Sequence, residues 1–127
     1  MTMAEINRQG GCLCGAVRYE LRGEPYKGGL CHCTDCRKVT GSPFLAYADW
    51  RPAQFSVTGD YATYDGRCFC PTCGSRLFSF GDNQVEIYLG SLDDAPYDIA
   101  PKLEGWARRR EPWLPIVPGT PMFPQDP

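Results

Sequence analysis

The stretch Cys31-His32-Cys33-Thr34-Asp35-Cys36 carries three thiols within six positions and the only histidine of the chain. Cys31 and Cys33 are two positions apart, so in an extended segment both side chains point to the same face. Cys33 and Cys36 form a C-x-x-C pair, a spacing at which a turn brings two sulfurs to one tetrahedral ion. This stretch, residues 31–36, is named the thiol loop. Three thiolates leave one corner of a zinc tetrahedron open, as in catalytic sites, whereas structural sites are closed by four protein ligands.

Two further cysteine pairs lie far apart in the sequence. Cys12 and Cys14 form a C-x-C pair between glycines, and Cys70 and Cys73 form a second C-x-x-C pair. Together they supply four thiolates, enough for a closed structural zinc site that contributes directly to the free energy of folding. Spacing alone leaves another combination open, in which the thiol loop shares a site with Cys70 and Cys73. Cys12 and Cys14 would then belong to neither site.

The eighth thiol, Cys68, lies two positions before Cys70. In an extended segment the two side chains would share a face. We interpret Cys68 as a buried thiol. The alternatives are that it closes the second zinc site as a fourth ligand, which would abolish an open corner, or that it is sensitive to oxidation.

Composition and charge narrow the class of protein. The net charge of -2 gives no sign of a nucleic-acid footprint. No run of 18 apolar residues predicts a membrane span, and residues 1–10 do not resemble a signal peptide. We therefore expect a soluble cytoplasmic protein. Disulfides rarely persist in that compartment, so the cysteines are interpreted as ligands of two zinc ions per chain.

Short strands and frequent turns must position these thiols. Residues 44–50 read as a strand, residues 55–58 and 61–64 as one hairpin, and residues 76–80 and 84–89 as another. Residues 23–29 are predicted to form a loop, and residues 34–39 one helical turn capped by Thr34 and ended near Gly41. The pattern predicts a mainly β protein, a zinc-stapled sandwich of short antiparallel sheets.

The last 16 residues differ in composition from the rest. Proline recurs at 112, 115, 118, 121, 124 and 127, a period that matches a polyproline II helix. We expect a zinc-binding β domain over residues 1–111 and an arm over 112–127. The arm either binds an aromatic-grooved partner domain or packs on the body or on a second subunit, as in a homodimer. Packing is favoured because the arm is too apolar to leave in water; its apolar residues are Trp113, Leu114, Ile116, Val117, Met122 and Phe123.

Four motifs, GCLCG, CHCTDCRKVTGS, RCFCPTCGS and GSLDD, span roughly residues 10–94. In this order they resemble the glutathione-dependent formaldehyde-activating enzyme family, which includes centromere-protein-V-like members. The resemblance implies a β-sandwich related to methionine sulfoxide reductase B. It also implies structural zinc on Cys12, Cys14, Cys70 and Cys73, and catalytic zinc on Cys31, Cys33 and Cys36.

The activity implied by the resemblance is addition of glutathione to formaldehyde, giving S-hydroxymethylglutathione, the reverse of a carbon–sulfur lyase reaction. His32 and Arg37 are candidate donors to the oxyanion, and Arg37 is also a candidate for binding a substrate carboxylate. His32 should point away from the neighbouring thiols if the segment is extended, which would make it a packing or supporting residue. Two alternative functions stay open: a non-catalytic zinc scaffold that binds a protein partner, and a redox-sensing zinc-thiol module.

Overall fold

The computed structural model describes residues 6–127, in which ten strands form two sheets and one α-helix lies against the larger sheet. The strands are β1 (Asn7–Gly11), β2 (Arg18–Arg22), β3 (Lys27–Cys31), β4 (Leu45–Trp50), β5 (Phe55–Thr58), β6 (Ala62–Tyr64), β7 (Arg67–Phe69), β8 (Arg76–Gly81), β9 (Gln84–Tyr88) and β10 (Glu104–Gly105), and the helix is α1 (Thr34–Thr40). Short 3₁₀ turns occur at Pro52–Gln54, Leu89–Ser91 and Ala107–Arg109.

The two sheets have the strand orders β1-β2-β5 and β10-β3-β4-β9-β8-β7-β6. Neighbouring strands are antiparallel, except that β10 runs parallel to β3. Aromatic side chains join the sheets: the rings of Tyr19 and Phe55 lie 6.0 Å and 5.1 Å from the ring of Phe78, centroid to centroid. The predicted mainly β fold is confirmed.

One predicted hairpin is correct and the other is wrong. Strands β8 and β9 pair as expected, with Gly81 opposite Gln84. Strands β5 and β6 do not pair, because β5 joins β2 in the small sheet and β6 joins β7 in the large one. Gly59 lies between them with φ +92°, and a Cβ there would lie 1.9 Å from the Ala16 carbonyl oxygen. Glycine therefore lets the chain cross from one sheet to the other at close range.

The predicted loop over residues 23–29 is also wrong at its end, because strand β3 already begins at Lys27. A Cβ on Gly29 would lie 2.4 Å from the carbonyl oxygen of Leu103. The glycine therefore makes room for a second chain segment, and β10 pairs with the adjacent residues Leu30 and Cys31. This places residues 103–105 next to the strand that leads into the thiol loop.

The C-terminal residues return to strand β10. The Glu104 amide donates to the carbonyl of Pro121 at 2.9 Å, and the Phe123 amide donates to the carbonyl of Glu104 at 2.9 Å. Turns closed by hydrogen bonds from Leu114 to Glu111 and from Thr120 to Val117 interrupt the arm. A continuous polyproline II helix, which has no internal hydrogen bonds, therefore does not describe it. Within residues 6–127, none of the helices has the length and apolar character needed to cross a membrane.

Candidate metal centres

The first cysteine group joins the two sheets. The sulfurs of Cys12, Cys14, Cys70 and Cys73 all lie within 4.8 Å of one another. Cys14 Sγ is 3.6 Å from Cys12 Sγ and 3.8 Å from Cys70 Sγ. A tetrahedral zinc ion with Zn–S bonds of about 2.3 Å separates its sulfurs by about 3.8 Å. The donor type and the spacing of this group therefore fit a four-thiolate zinc ion between the ends of β1 and β7.

Hydrogen-bond donors surround these sulfurs. The Val17 amide donates to Cys12 Sγ at 3.2 Å, and the Ser75 hydroxyl lies 3.2 Å from Cys73 Sγ. Hydrogen bonding from Ser75 lowers the pKa of Cys73 to about 5. The surroundings of Cys73 therefore favour its thiolate, the form that binds metal.

The second group consists of three half-buried thiols of the thiol loop. The sulfurs of Cys31, Cys33 and Cys36 lie within 4.8 Å of one another, and no fourth cysteine, histidine or carboxylate among residues 6–127 joins them. A hydrogen bond from the Cys36 thiol lowers the pKa of Cys31 to about 6. The group has the composition of a zinc site with three protein ligands.

Helix α1 holds this loop in shape. Its N-cap is Cys33, whose Sγ accepts a hydrogen bond from the Cys36 amide at 3.2 Å. The predicted cap at Thr34 is therefore wrong by one residue, because the sulfur takes the place of the hydroxyl oxygen as acceptor. The predicted end is confirmed: Gly41 closes the helix with φ +65°.

Cys68 belongs to neither group. Its side chain is fully buried in the core, and its sulfur lies 3.4 Å from the Thr63 hydroxyl. The register of β7 against β8 shifts between Cys68 and Phe69, so the simple alternation that put Cys68 beside Cys70 does not hold. Among residues 6–127, Cys68 is therefore a core thiol apart from the two groups, and it does not close the second one.

A small cavity opens beside the thiol loop. It has a volume of about 200 Å³ and is lined by Cys36, Val39, Arg67, Glu86 and Tyr88, among others. Cys31, Cys36 and Val39 pack against Leu45, Tyr47 and Tyr88 of the large sheet. The half-buried sulfurs therefore meet an apolar wall on one side and a partly polar cavity on the other.

A row of polar residues crosses the large sheet at the edge of this cavity. Each of the five lies directly opposite the next on neighbouring strands, in the order Lys27, Asp49, Glu86, Ser79 and Arg67. Burial raises the pKa of Glu86, and burial together with the charge of Glu86 raises the pKa of Asp49 to about 7. The sequence did not predict this row. The only local pattern that points to it is in strand β9, where Glu86 lies between the buried residues Val85 and Ile87.

His32 points away from the sulfurs, as the alternation predicts. Its ring is fully buried, and Nε2 lies 2.8 Å from Glu104 Oε1. The carboxylate also accepts a hydrogen bond from Arg110 Nε at 3.0 Å. His32 therefore supports the thiol loop from behind and does not face the cavity.

Arg37 is engaged at the surface. Its guanidinium donates to the carbonyl of Arg109 at 3.0 Å and to Glu111 Oε1 at 2.6 Å. It lines a wide, open depression of about 760 Å³ with Lys38 and Trp113. Binding of a substrate carboxylate by Arg37 stays a prediction.

The chain is similar to a protein of known structure, to a second protein by sequence and to a protein family. The crystal structure of a Rhodobacter sphaeroides protein has the same fold, with a TM-score of 0.56 and 19% identity over 91% of this chain and 99% of the other. A Schizosaccharomyces pombe protein named as an uncharacterized lyase is 35% identical over 86 residues, which are 64% of this chain and 63% of that protein. The matched region thus spans less than two thirds of this relative. The pattern of the glutathione-dependent formaldehyde-activating enzyme family matches residues 7–109, most of the chain, and this protein belongs to that family.

Proposed function

We propose that this protein is a zinc-dependent, lyase-type enzyme that forms or cleaves an adduct between a small thiol, such as glutathione, and an aldehyde. The observation that carries the proposal is the group of Cys31, Cys33 and Cys36, which has three ligands, is half-buried and borders a cavity. The name of the family and the name of the yeast relative support the reaction class.

Each cysteine group has its own part in the proposal. Cys12, Cys14, Cys70 and Cys73 would hold a structural zinc ion, because four sulfurs close the tetrahedron. Cys31, Cys33 and Cys36 would hold the second ion and leave one position for substrate. When bound there, zinc would lower the pKa of the substrate thiol and so favour the nucleophilic thiolate.

The residues of the chain shape the space beside that position. Leu45 and Val39 supply apolar surface that excludes water from one side of the sulfurs. The Tyr88 hydroxyl is protonated at neutral pH, as in any tyrosine, and can donate a hydrogen bond; burial raises its pKa further, to about 12. The cavity, at about 200 Å³, suits a small carbonyl compound.

The proposal is tested with zinc-loaded protein, glutathione and ¹³C-labelled formaldehyde. Exchange spectroscopy by NMR measures how fast labelled carbon passes between free formaldehyde and the thiol adduct. We expect the wild-type protein to accelerate the exchange and Cys33→Ser to return it to the uncatalysed rate. Cys68→Ala is the matched control, because it removes a thiol that lies outside both groups.

Two outcomes would contradict the proposal. Unchanged turnover in Cys33→Ser would show that the three-cysteine group is not the site of reaction. A wild-type protein that carries two zinc ions yet gives no acceleration would favour the non-catalytic scaffold instead. The exposed side chains of Trp113 and Ile116, at 67% and 66% exposure, are then the first candidates for partner contact.

A further inference from the structure

Addition of a thiol to an aldehyde needs a group that moves a proton, and the sulfurs do not supply one. The thiol must lose a proton to become a nucleophile, and the carbonyl oxygen must gain one when the carbon–sulfur bond forms. A general acid–base residue has to lie within hydrogen-bond reach of the reacting atoms. The cavity beside Cys36 is where such a residue has to be sought.

The two donors suggested by the sequence do not reach this cavity. His32 is buried against Glu104 on the other side of the loop, and Arg37 is held by Arg109 and Glu111. Neither residue lines the cavity wall that Cys36 shares with strand β9.

Two carboxyl groups, Glu86 and Asp65, line the cavity. The side chain of Asp65 is 78% exposed and is paired with Arg67 at 3.0 Å, so it lies at the outer edge of the cavity. Glu86 is half-buried on strand β9, two residues before Tyr88, whose side chain packs in the cluster that includes Cys31 and Cys36. Of the two carboxyl groups, Glu86 is therefore the one on the inner wall of the cavity, which it shares with Cys36 and Tyr88.

The neighbours of Glu86 fix its position and leave part of the carboxyl group free. The Ser79 hydroxyl donates to Glu86 Oε2 at 3.2 Å, whereas Oε1 has no hydrogen-bond partner among the side chains of residues 6–127. Asp49 lies directly opposite on β4, and Arg67 and Lys27 continue the row on either side. A carboxyl group that is removed from water holds a proton more readily than a surface one, and burial raises the pKa of Glu86 although Ser79, Lys27 and Arg67 act in the opposite direction.

We propose that Glu86 is the catalytic proton carrier of the thiol–aldehyde reaction, an assignment that rests on the function proposed above. In the forward direction the Glu86 carboxylate takes the proton of the substrate thiol. The sulfur lone pair then forms the carbon–sulfur bond, the carbonyl π pair moves to oxygen, and Glu86 returns the proton to that oxygen. In reverse, Glu86 takes the hydroxyl proton, the carbon–oxygen double bond re-forms, the electron pair of the carbon–sulfur bond returns to sulfur, and Glu86 gives the proton to that sulfur. No oxidant or further reactant is needed.

The same exchange experiment, with glutathione and ¹³C-formaldehyde, tests this role in zinc-loaded variants. Glu86→Gln keeps the shape of the side chain and removes its ability to carry a proton. We expect its rate of exchange to fall by about 100-fold or more, the usual size of a general acid–base contribution. Asp65→Asn is the matched control, since it removes a carboxylate from the edge of the same cavity, and we expect it to stay close to wild type. Asparagine tolerates the positive φ of 50° at this position.

Chemical rescue separates proton transfer from a structural role. In Glu86→Ala the cavity gains room, so added formate should restore much of the lost rate, whereas formate should not help Glu86→Gln, in which the amide fills the space. Glu86→Asp is the second variant should Glu86→Gln bind zinc poorly; it should keep more activity than Glu86→Ala at equal zinc content.

Four other results would overturn the assignment of Glu86 as proton carrier. Wild-type rates in Glu86→Gln would show that Glu86 carries no proton, while the proposed function would stand. An equal loss of exchange rate in Asp65→Asn would mean that the rate depends on the total negative charge of the cavity and not on proton transfer by Glu86. Equal losses in Glu86→Asp and Glu86→Ala without rescue by formate would assign Glu86 a structural part. Absence of acceleration by wild type, by contrast, would remove the proposed function together with this inference.

Discussion

His32 Nε2 lies 2.8 Å from Glu104 Oε1, and neither side chain is exposed to solvent. Arg110 Nε donates to the same oxygen at 3.0 Å. The backbone of Glu104 pairs with Leu30 on one side and with Met122 on the other. Glu104 thus connects the thiol loop through its buried carboxylate and the C-terminal segment through its backbone.

Removal of this carboxylate should be strongly destabilising. Glu104→Ala leaves His32 Nε2 without its partner and removes the carboxylate paired with Arg110 Nε, and breaking a buried pair in this way costs about 3–5 kcal/mol. Urea unfolding of the zinc-loaded protein measures the loss. Glu111→Ala is the control, because the Glu111–Arg37 pair is partly exposed and such pairs contribute about 0–1 kcal/mol. Equal, small losses in both variants would contradict the central place of Glu104.

The two cysteine groups should differ in what they do for stability. Cys70→Ser breaks the group that links β1 of the small sheet to β7 of the large one. Structural zinc sites contribute about 10 kcal/mol or more to folding in small domains, so we expect this variant to lose one zinc ion and melt at a much lower temperature. Cys33→Ser should also lose one ion and yet stay folded. The melting temperature and the zinc content of both variants are measured. A lower melting temperature for Cys33→Ser than for Cys70→Ser would mean that the three-cysteine group is the structural site.

Asp49 should make the protein less stable as pH rises. Burial raises its pKa to about 7 in the folded chain, against about 3.9 when unfolded. Between these values the folded state holds a proton that the unfolded state has released, so a rise in pH favours unfolding by up to about 1.4 kcal/mol per pH unit. This contribution to stability is complete below about pH 4 and is lost by about pH 7.

Asp49→Asn should remove that dependence. The difference in unfolding free energy between this variant and wild type is measured by urea titration at constant free zinc, so that protonation of the cysteines affects both proteins alike. We expect the difference to shift in favour of Asp49→Asn as pH rises from about 4 to about 7. A difference that is independent of pH would mean that Asp49 ionises normally in the folded protein.

Truncation of the arm should expose the strand that holds Glu104. Deletion of residues 119–127 removes the backbone hydrogen bonds of Pro121 and Phe123 to Glu104, and the bond of 2.7 Å from Trp106 Nε1 to Asp126. We expect a lower melting temperature and altered Trp106 fluorescence. Trp113→Ala is the control, since that side chain is mostly exposed. Unchanged stability of the truncated chain would show that the segment does not support β10.

Local patterns in the sequence were sufficient for the cysteine pairs and for part of the fold, whereas the combination of these pairs into two groups was implied only by the resemblance to the family. The C-x-C and C-x-x-C spacings depend on a few neighbouring residues, and the turn at Gly81-Asp82-Asn83 predicts the β8–β9 hairpin. The end of α1 at Gly41 likewise follows from one residue. In each case the physical cause lies within a few positions of the feature.

The remaining features depend on the register of strands that are distant in sequence. The Glu104–His32 pair joins residues 72 positions apart, and the position of Glu86 beside the cavity requires β9 to pair with β4 and β8 at once. A polar residue in a strand looks the same in sequence whether it faces solvent or a catalytic cavity. The pairing of β5 with β2 was missed for the same reason.

The most direct test of the account is X-ray absorption at the zinc edge, with elemental analysis of the same sample, before and after addition of glutathione. We predict two zinc ions per chain, one with four sulfur ligands and the other with three sulfurs and a light atom. Glutathione should replace the light atom, so that both ions then have four sulfurs. Two ions with four sulfurs each before glutathione is added, or a second site that does not change on its addition, would contradict an open three-cysteine centre.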